Sequence, residues 1–308
     1  MPKGLFISHK SIFEKYSKCR TLSRPARISG QPFAVVSDIH GNLPALEAVI
    51  NHITFTAIPK YGVSDIICLG DIVGYGPRPK ECLNIVKKWA PKIWVKGNHD
   101  FYASGDDSLE NYSPEAAETI KWTRNQLRRE DREFLASLPF KAEYNKNIFI
   151  AHGCYGVREE MCIGEYLSDA NNIATKMVEL SFSEYSMGIF GHTHQQWIAH
   201  KGIHTFKENC YLPEMQGFIP PHSSNGKITK DQEYEYILAN EVHFLNPGSV
   251  GQPRDFEPAA AYAVVVPPEK IILFRIPYDV EETKTAIRTS DIDAKIARML
   301  INRLDRGM

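Results

Sequence analysis

Five short apolar runs in this chain each end on Asp, Asn or His, and that repetition constrains the fold more than any single residue does. Phe33-Ala34-Val35-Val36-Ser37 leads into Asp38-Ile39-His40, and Asp65-Ile66-Ile67-Cys68-Leu69 leads into Gly70-Asp71. Residues 92–96 lead into Gly97-Asn98-His99-Asp100, and Ile148-Phe149-Ile150 into Ala151-His152-Gly153. The last run, 187–190, opens onto Gly191-His192-Thr193-His194. Runs this short, rich in Val, Ile and aromatic residues, read as β-strands. In an open α/β sheet, ligands bind outside the carboxyl ends of strands, so these polar groups are expected along one rim.

Helical patterns separate the strands: Leu43 to about Ala57, 79–89, a helix opened by the cap Ser113 and Pro114, then 130–137 and 165–181. Beyond Gly191 the character changes. Strands near 196–199, 234–238, 242–245, 260–266 and 271–276 follow without helices between them, until a charged helix over about 280–305. This order predicts an α/β (α+β) chain with two sheets packed together and helices outside. Residues 31–308 read as a single domain, preceded by an extension over 1–30 that holds seven Lys or Arg against one acid, Glu14. That extension has no apolar core of a secretory signal and reads as a docking arm. Residues 207–233, rich in Pro and Gly, read as an inserted loop whose Tyr211 and Phe218, with Tyr234 and Tyr236, form either a lid or a self-packing flap.

Bulk properties exclude some classes of function. A net charge of -1 gives no general pull toward nucleic acid or membrane. No apolar run approaches the roughly 20 residues of a membrane helix. The six cysteines contain no C-x-x-C pair, so free thiols in a reducing, cytoplasmic compartment are expected. Cys154 lies close to His152, but nothing pairs with it at zinc-finger spacing, and it is not expected to bind metal.

Taken singly, each strand-end residue has an ordinary explanation: a helix cap, a turn, a satisfied buried histidine. One metal site explains them together. Asp38, His40, Asp71, Asn98, His152, His192 and His194 are seven nitrogen or oxygen donors, too many for one tetrahedral ion and suited to two ions with a shared ligand. Two divalent ions, two carboxylates and a bridging hydroxide leave a cationic centre that attracts phosphate and activates water at neutral pH. A His/Asp/Asn set without thiolate suits Mn, Fe or Zn better than calcium or an iron–sulfur cluster.

Asp38-x-His40, Gly70-Asp71, Gly97-Asn98-His99-Asp100, His152 and Gly191-His192-x-His194 resemble the motif series of the calcineurin-like metallophosphoesterases. The stretches GDIVGYGPRP (70–79), IKWTRNQL (120–127) and LNPGSVGQPRD (245–255) are similar to the branch of small phosphodiesterase-like proteins related to diadenosine tetraphosphatases. The resemblance implies a four-layer fold, two mixed sheets between helices. It implies that Asp38, His40 and His194 hold one ion, Asn98, His152 and His192 the other, and that Asp71 bridges them. It also implies that His99 contacts phosphate and protonates the leaving oxygen, a sensible role for an imidazole near neutral pH.

One departure bears on substrate. Protein phosphatases of this superfamily carry Asp and Arg three and four residues after the bridging aspartate, where this chain has Gly74 and Tyr75. Arg254, in a Gly-rich turn, is the expected replacement for binding phosphate, with Arg78 behind it. The expected activity is hydrolysis of a small phosphodiester or nucleotide phosphate. The alternatives are a phosphomonoesterase or protein phosphatase of the same superfamily, or a non-catalytic scaffold like the retromer-type subunits. A nuclease is not expected, since residues 33–308 contain no long basic cluster. The stripe Ile292, Ile296, Leu300 and Leu304 reads as helix packing on its own domain or, second, a dimer contact.

Overall fold

In a computed structural model, the described residues are 27–308 apart from 106–107, 111, 157–161, 163, 202–215, 219–229 and 239–240. Two six-stranded mixed sheets form the centre. The first contains β1 (Phe33–Val36), β2 (Asp65–Cys68), β3 (Ile93–Trp94), β9 (Gln232–Ile237), β11 (Ala260–Val266) and β12 (Lys270–Ile276), in the order β3-β2-β1-β11-β12-β9. Its β1, β2 and β3 run parallel, whereas β11 pairs antiparallel with β1. The second contains β4 (Lys141–Tyr144), β5 (Ile148–Ala151), β6 (Met187–Ile189), β7 (Gln196–Lys201), β8 (Gln216–Phe218) and β10 (Val242–Pro247), in the order β4-β5-β6-β10-β7-β8.

Strands β5, β6 and β10 are mutually parallel. All the strand ends singled out in the sequence therefore belong to parallel sets, three in one sheet and two in the other. Parallel strands need crossover connections, and the helical patterns between the runs supply them.

Alternating residues face opposite ways on each strand and create distinct apolar layers. Phe33, Val35, Ile67 and Leu69 meet Ile148, Ile150, Ile189 and Leu245 between the sheets. On the outer face of the first sheet, Ala34 and Val36 pack with Leu46 and Val49 of α1 (Leu43–His52) and with Leu83 and Val86 of α3 (Pro79–Trp89). The outer face of the second sheet buries Phe149, Phe190 and Phe244 under α7 (Ala170–Ser181). Each Val, Leu, Ile or Phe among these, fully removed from water, contributes about 1.5–3 kcal/mol. The result is helices, sheet, sheet, helix, the layering expected of the α/β chain.

Several boundaries differ from the sequence reading. The first helix does not run straight to Ala57: α1 passes through a π-helical turn, Ile53–Ala57, into a single turn α2 (Ile58–Tyr61) that ends on left-handed Gly62. Helix α7 starts at Ala170 because Asp169 caps it, accepting from the backbone of Asn171 and Asn172. Strand β4 escaped notice because its Lys, Ala, Glu, Tyr sequence has little apolar content, although Tyr144 is buried.

The helix expected over 280–305 is two helices, α8 (Val280–Thr289) and α9 (Ala294–Arg306). The break is chemical: the hydroxyls of Thr289 and Ser290 bond back to preceding carbonyls, and Asp293 caps the new helix through Lys295 and Ile296. The stripe Ile292, Ile296, Leu300 and Leu304 is buried against Tyr75, Ala116 and Ile287, inside the chain's own fold.

The extension over 1–30 lies outside the described residues except for 27–30, and so does most of 207–233, including Tyr211. The described parts of the expected loop are strands: β8 pairs with β7, and β9 begins at Gln232. Tyr234 and Tyr236 sit in β9 against the core between the sheets, which removes them from any lid.

Candidate metal centre

The parallel strand ends of both sheets open on one rim, and the rim gathers the expected donors. Asp38 and His40 follow β1, and Asp71 follows β2. Asn98 opens α4 (Asn98–Ser104) just beyond β3. His152 follows β5, and His192 and His194 follow β6. Five of these residues take left-handed backbone: Asp38 (φ 54°), His40 (47°), Asp71 (49°), His192 (65°) and His194 (59°). For residues with a Cβ this conformation costs about 1–3 kcal/mol each, and it persists where surrounding structure fixes it at a functional site. The chain thus turns sharply at the donor itself, so that the side chain folds back over the rim.

Donor atoms of Asp38, His40, Asp71 and His194 lie within 4.8 Å of one another, and so do those of Asp71, His152 and His192. Asp71 belongs to both groups. Its Oδ1 accepts from the backbone N–H of His99 at 2.8 Å. Its Oδ2 faces His152 Nε2 at 3.2 Å and His40 Nε2 at 3.5 Å. Asp38 Oδ2 accepts from Ser37 Oγ at 2.5 Å and from the backbone of His192 at 3.2 Å, leaving Oδ1 turned to His194 Nε2 at 3.2 Å. Asn98 donates through Nδ2 to the Tyr112 hydroxyl at 2.9 Å, which frees its Oδ1. All seven side chains are at least 95% buried.

What remains unpaired is informative. Asp38 Oδ1, Asp71 Oδ2, Asn98 Oδ1, His152 Nε2 and His192 Nε2 are buried without a hydrogen-bond partner. Leaving one such group unsatisfied costs roughly 1–3 kcal/mol, and native structures avoid clusters of them. The histidine tautomers point the same way. The Nδ1 atoms of His40, His152 and His194 donate to the carbonyls of Val73 (3.2 Å), Leu69 (2.8 Å) and Gln252 (2.6 Å). A carbonyl only accepts, so in each neutral ring the lone pair sits on Nε2, directed into the centre. Inward lone pairs and carboxylate oxygens with no proton between them fit divalent cations.

Burial pushes the imidazoles of His40, His192 and His194 well below their ordinary range, favouring the neutral form that ligates metal. Burial also opposes charge on Asp38 and raises it to about 6. Against the same burial, Asp71 favours a proton on His152, raising it to about 9, and His152 holds Asp71 well below the carboxylate range, so that a cation bound here takes the place of that proton.

His99 is fully within the site, 4% exposed, with its ring 4.9 Å from that of His40 and 4.4 Å from that of Tyr75. Burial lowers it to about 4, so in the free protein at neutral pH the ring is neutral. Arg254 carries its guanidinium over the Tyr75 ring, 5.8 Å from the centroid, and donates to Gln252 Oε1 at 3.0 Å. Its charge is felt at Asp38, His40, His99, His192 and His194. Arg78 instead faces Glu81 at 3.8 Å on the exposed first turn of α3. Cys154 lies outside both donor groups and contacts Glu165 at 3.2 Å.

Sequence reasoning missed several supports. Asp100 accepts from the backbones of Ile72, Val73 and Gly97 and so ties together the loops carrying Asp71 and Asn98. Burial and the neighbouring Asp71 raise its carboxyl to about 7. Tyr166 stacks on the His192 ring at 3.8 Å, and nothing in its local sequence signals that contact.

Residues 31–196 match the calcineurin-like phosphoesterase family. The chain is 32% identical over 253 residues to an uncharacterized protein of Methanocaldococcus jannaschii, spanning 81% of this chain and 88% of that one. A metallophosphoesterase from Sphaerobacter thermophilus has a similar structure, with 30% identity, a TM-score of 0.69, and 91% of this chain and 100% of that one covered. A hypothetical protein from Pyrococcus horikoshii OT3, at 20% identity and a TM-score of 0.65 over 88% and 98% of the two chains, shares the fold. The donor-lined rim and the matched residues together make this chain a member of the calcineurin-like phosphoesterase family.

Proposed function

We propose that this protein is a binuclear metal-dependent phosphoesterase that hydrolyses a small phosphodiester or nucleotide phosphate. The observation that carries this reading is the set of buried, partnerless donor atoms aimed into two overlapping groups. In this reading Asp38, His40 and His194 hold one ion, Asn98, His152 and His192 hold the second, and Asp71 is shared. Ions such as Mn²⁺, Fe²⁺ or Zn²⁺ would supply Lewis acidity toward phosphoryl oxygens and an activated water.

The chain's own groups do the rest. Arg254 binds a phosphate oxygen and orients the ester, and the protonated imidazole of His99 passes a proton to the departing oxygen. An anionic substrate beside His99 favours its protonated form and offsets the burial that lowers it.

The preference for a diester or nucleotide rests on Tyr75 and Gly74, which replace the Arg and Asp of the protein phosphatases and put an aromatic wall where those enzymes have charges. Membership of the branch related to diadenosine tetraphosphatases rests on the three stretches at 70–79, 120–127 and 245–255. Residues 31–308 are taken as one domain, with residues 1–30 as a basic arm acting apart from catalysis. Among the described residues, no helix is long and apolar enough to cross a membrane; a cytoplasmic setting is proposed from the cysteine pattern alone.

The test is turnover by chelator-stripped protein before and after Mn²⁺ is restored, comparing bis-p-nitrophenyl phosphate with p-nitrophenyl phosphate. Metal-dependent turnover favouring the diester is expected. Substitution Asp71→Asn should lower bound metal below two ions per chain and abolish turnover. Full activity in that variant would refute the scheme, and a monoester preference would restore the phosphatase alternative.

A further inference from the structure

At the Tyr75 ring stands a second arginine, Arg303, near the end of α9. Its guanidinium carbon lies 5.8 Å from the ring centroid, the same separation as that of Arg254. Tyr75 is itself packed against His99 and His40. We propose that Arg303 forms a second anion-binding position beside the metal centre, and that the substrate carries a second phosphoryl group which Arg303 binds while the scissile one lies against Arg254. The inference rests on the phosphoesterase reading above and deepens it by naming the substrate class.

Two observations support it. First, among the described residues neither arginine pairs with a carboxylate. Among the described residues, the arginine–carboxylate pairs involve Arg78, Arg128, Arg129, Arg275 and Arg288. Two cations sharing one ring with no anion between them repel each other, and an anionic ligand relieves that repulsion.

Second, the backbone segments that carry the pair are tied to each other. Gly307, in left-handed backbone (φ 61°), lets α9 end against the loop that carries Arg254, where the Phe256 N–H donates to Gly307 O at 2.8 Å. A Cβ at Gly307 would come within 2.6 Å of the Glu257 nitrogen, so a side chain there pries the helix end away. The loop is fixed from below by Asp255, which pairs with buried Arg275 and accepts from the Gln196 backbone. The helix is fixed by buried Ile296, Leu300 and Leu304. A pair already in place loses little freedom on binding, which raises affinity.

The test uses the full chain loaded with Mn²⁺ and measures binding by calorimetry for AMP, ADP and adenosine 3′,5′-bisphosphate. AMP carries one phosphoryl group; ADP adds a second through an anhydride, and the bisphosphate adds it across the ribose. Wild type is expected to bind at least one of the latter two roughly tenfold or more tightly than AMP, and Arg303→Gln to erase that preference. Whichever nucleotide shows the preference identifies how the second group is attached.

Arg303→Lys keeps the charge without the planar fork and should retain part of the preference, which covers the case of a Gln variant that fails to fold. A preference that survives undiminished in Arg303→Gln or in Arg303→Lys, or a wild type that binds all three equally, overturns the proposal. Metal-dependent ester hydrolysis together with equal binding would refute this inference alone. Absence of both hydrolysis and nucleotide binding would refute the phosphoesterase reading beneath it.

Discussion

The Nε2 atoms of His40 and His194 face each other at 3.2 Å, although the Nδ1 of each ring is already committed to a backbone carbonyl. Two lone pairs at this separation repel, and a cation between or beside them removes the repulsion. Metal should therefore stabilise the fold as well as serve the reaction. With Mn²⁺ at a hundred times its dissociation constant, a single site adds about 2.7 kcal/mol to unfolding. Denaturant unfolding in Mn²⁺ and in chelator should differ by at least that amount for wild type and by much less for His194→Ala. Identical curves for wild type in both conditions would remove metal from this pair.

Gly74 sets the position of His99. It sits at φ 93°, and a Cβ built on it would lie 2.4 Å from His99 Nδ1, an atom with no hydrogen-bond partner. Restoring the aspartate that the protein phosphatases carry at this point is thus expected to displace the imidazole instead of orienting it. Gly74→Asp should lower turnover about 10²-fold and create no phosphomonoesterase. His99→Ala should keep its metal and lose roughly 10²–10⁴ in rate on alkyl esters, with a smaller loss on p-nitrophenyl esters. Steady-state kinetics on both ester types checks both variants, and equal losses on the two would contradict the proton-donor role.

Tyr112 acts on the centre through Asn98. Its hydroxyl takes the Asn98 amide hydrogen at 2.9 Å, and this contact decides which way round the amide points. Without the hydroxyl, the amide is free to flip and present Nδ2, which cannot ligate a cation. Tyr112→Phe should weaken metal binding roughly 10–100-fold, the usual cost of removing an outer partner of a ligand. A metal titration followed by fluorescence measures this; unchanged affinity would mean that packing alone holds Asn98.

Much of this site was legible because its residues stand at fixed positions, immediately after apolar runs that can only be strands. Asp38, Asp71, Asn98, His152 and His192 need no knowledge of the rest of the chain to be placed on a common rim. The supports were not legible for the opposite reason. Tyr112 and Tyr166 reach Asn98 and His192 across 14 residues or more, Arg303 reaches Tyr75 from a distant helix, and no local period marks such contacts. The helix break at 290–293 was missed because the apolar stripe continues through it: Ile292 is buried in register with Ile296, so spacing alone reads as one helix. Strand β4 was missed because an edge strand with Lys141 and Glu143 exposed carries only half an apolar pattern.

Far from the rim, His243 in β10 makes a separate prediction about acid stability. Its ring is fully buried, donates from Nδ1 to the Glu241 carbonyl at 2.9 Å, and leaves Nε2 without a partner. The ring lies against His200, whose Nδ1 is bonded to the Glu241 carboxylate, and against the edge of Tyr236. Burial pushes His243 down to about 4, the neighbouring His200 adding to the shift while the Glu241 carbonyl and carboxylate oppose it.

The sign follows directly. Between about 6.5 and 4 the unfolded chain takes up a proton that the folded one refuses, so stability falls as pH falls through that window and levels off below it. A shift of this size corresponds to about 3 kcal/mol. Unfolding measured in chelator at pH 7 and pH 4.5 should show a steeper loss for wild type than for His243→Gln, which cannot titrate, by about 2–3 kcal/mol. Parallel losses in the two proteins would assign acid sensitivity to other buried histidines, His52 among them, which burial also lowers.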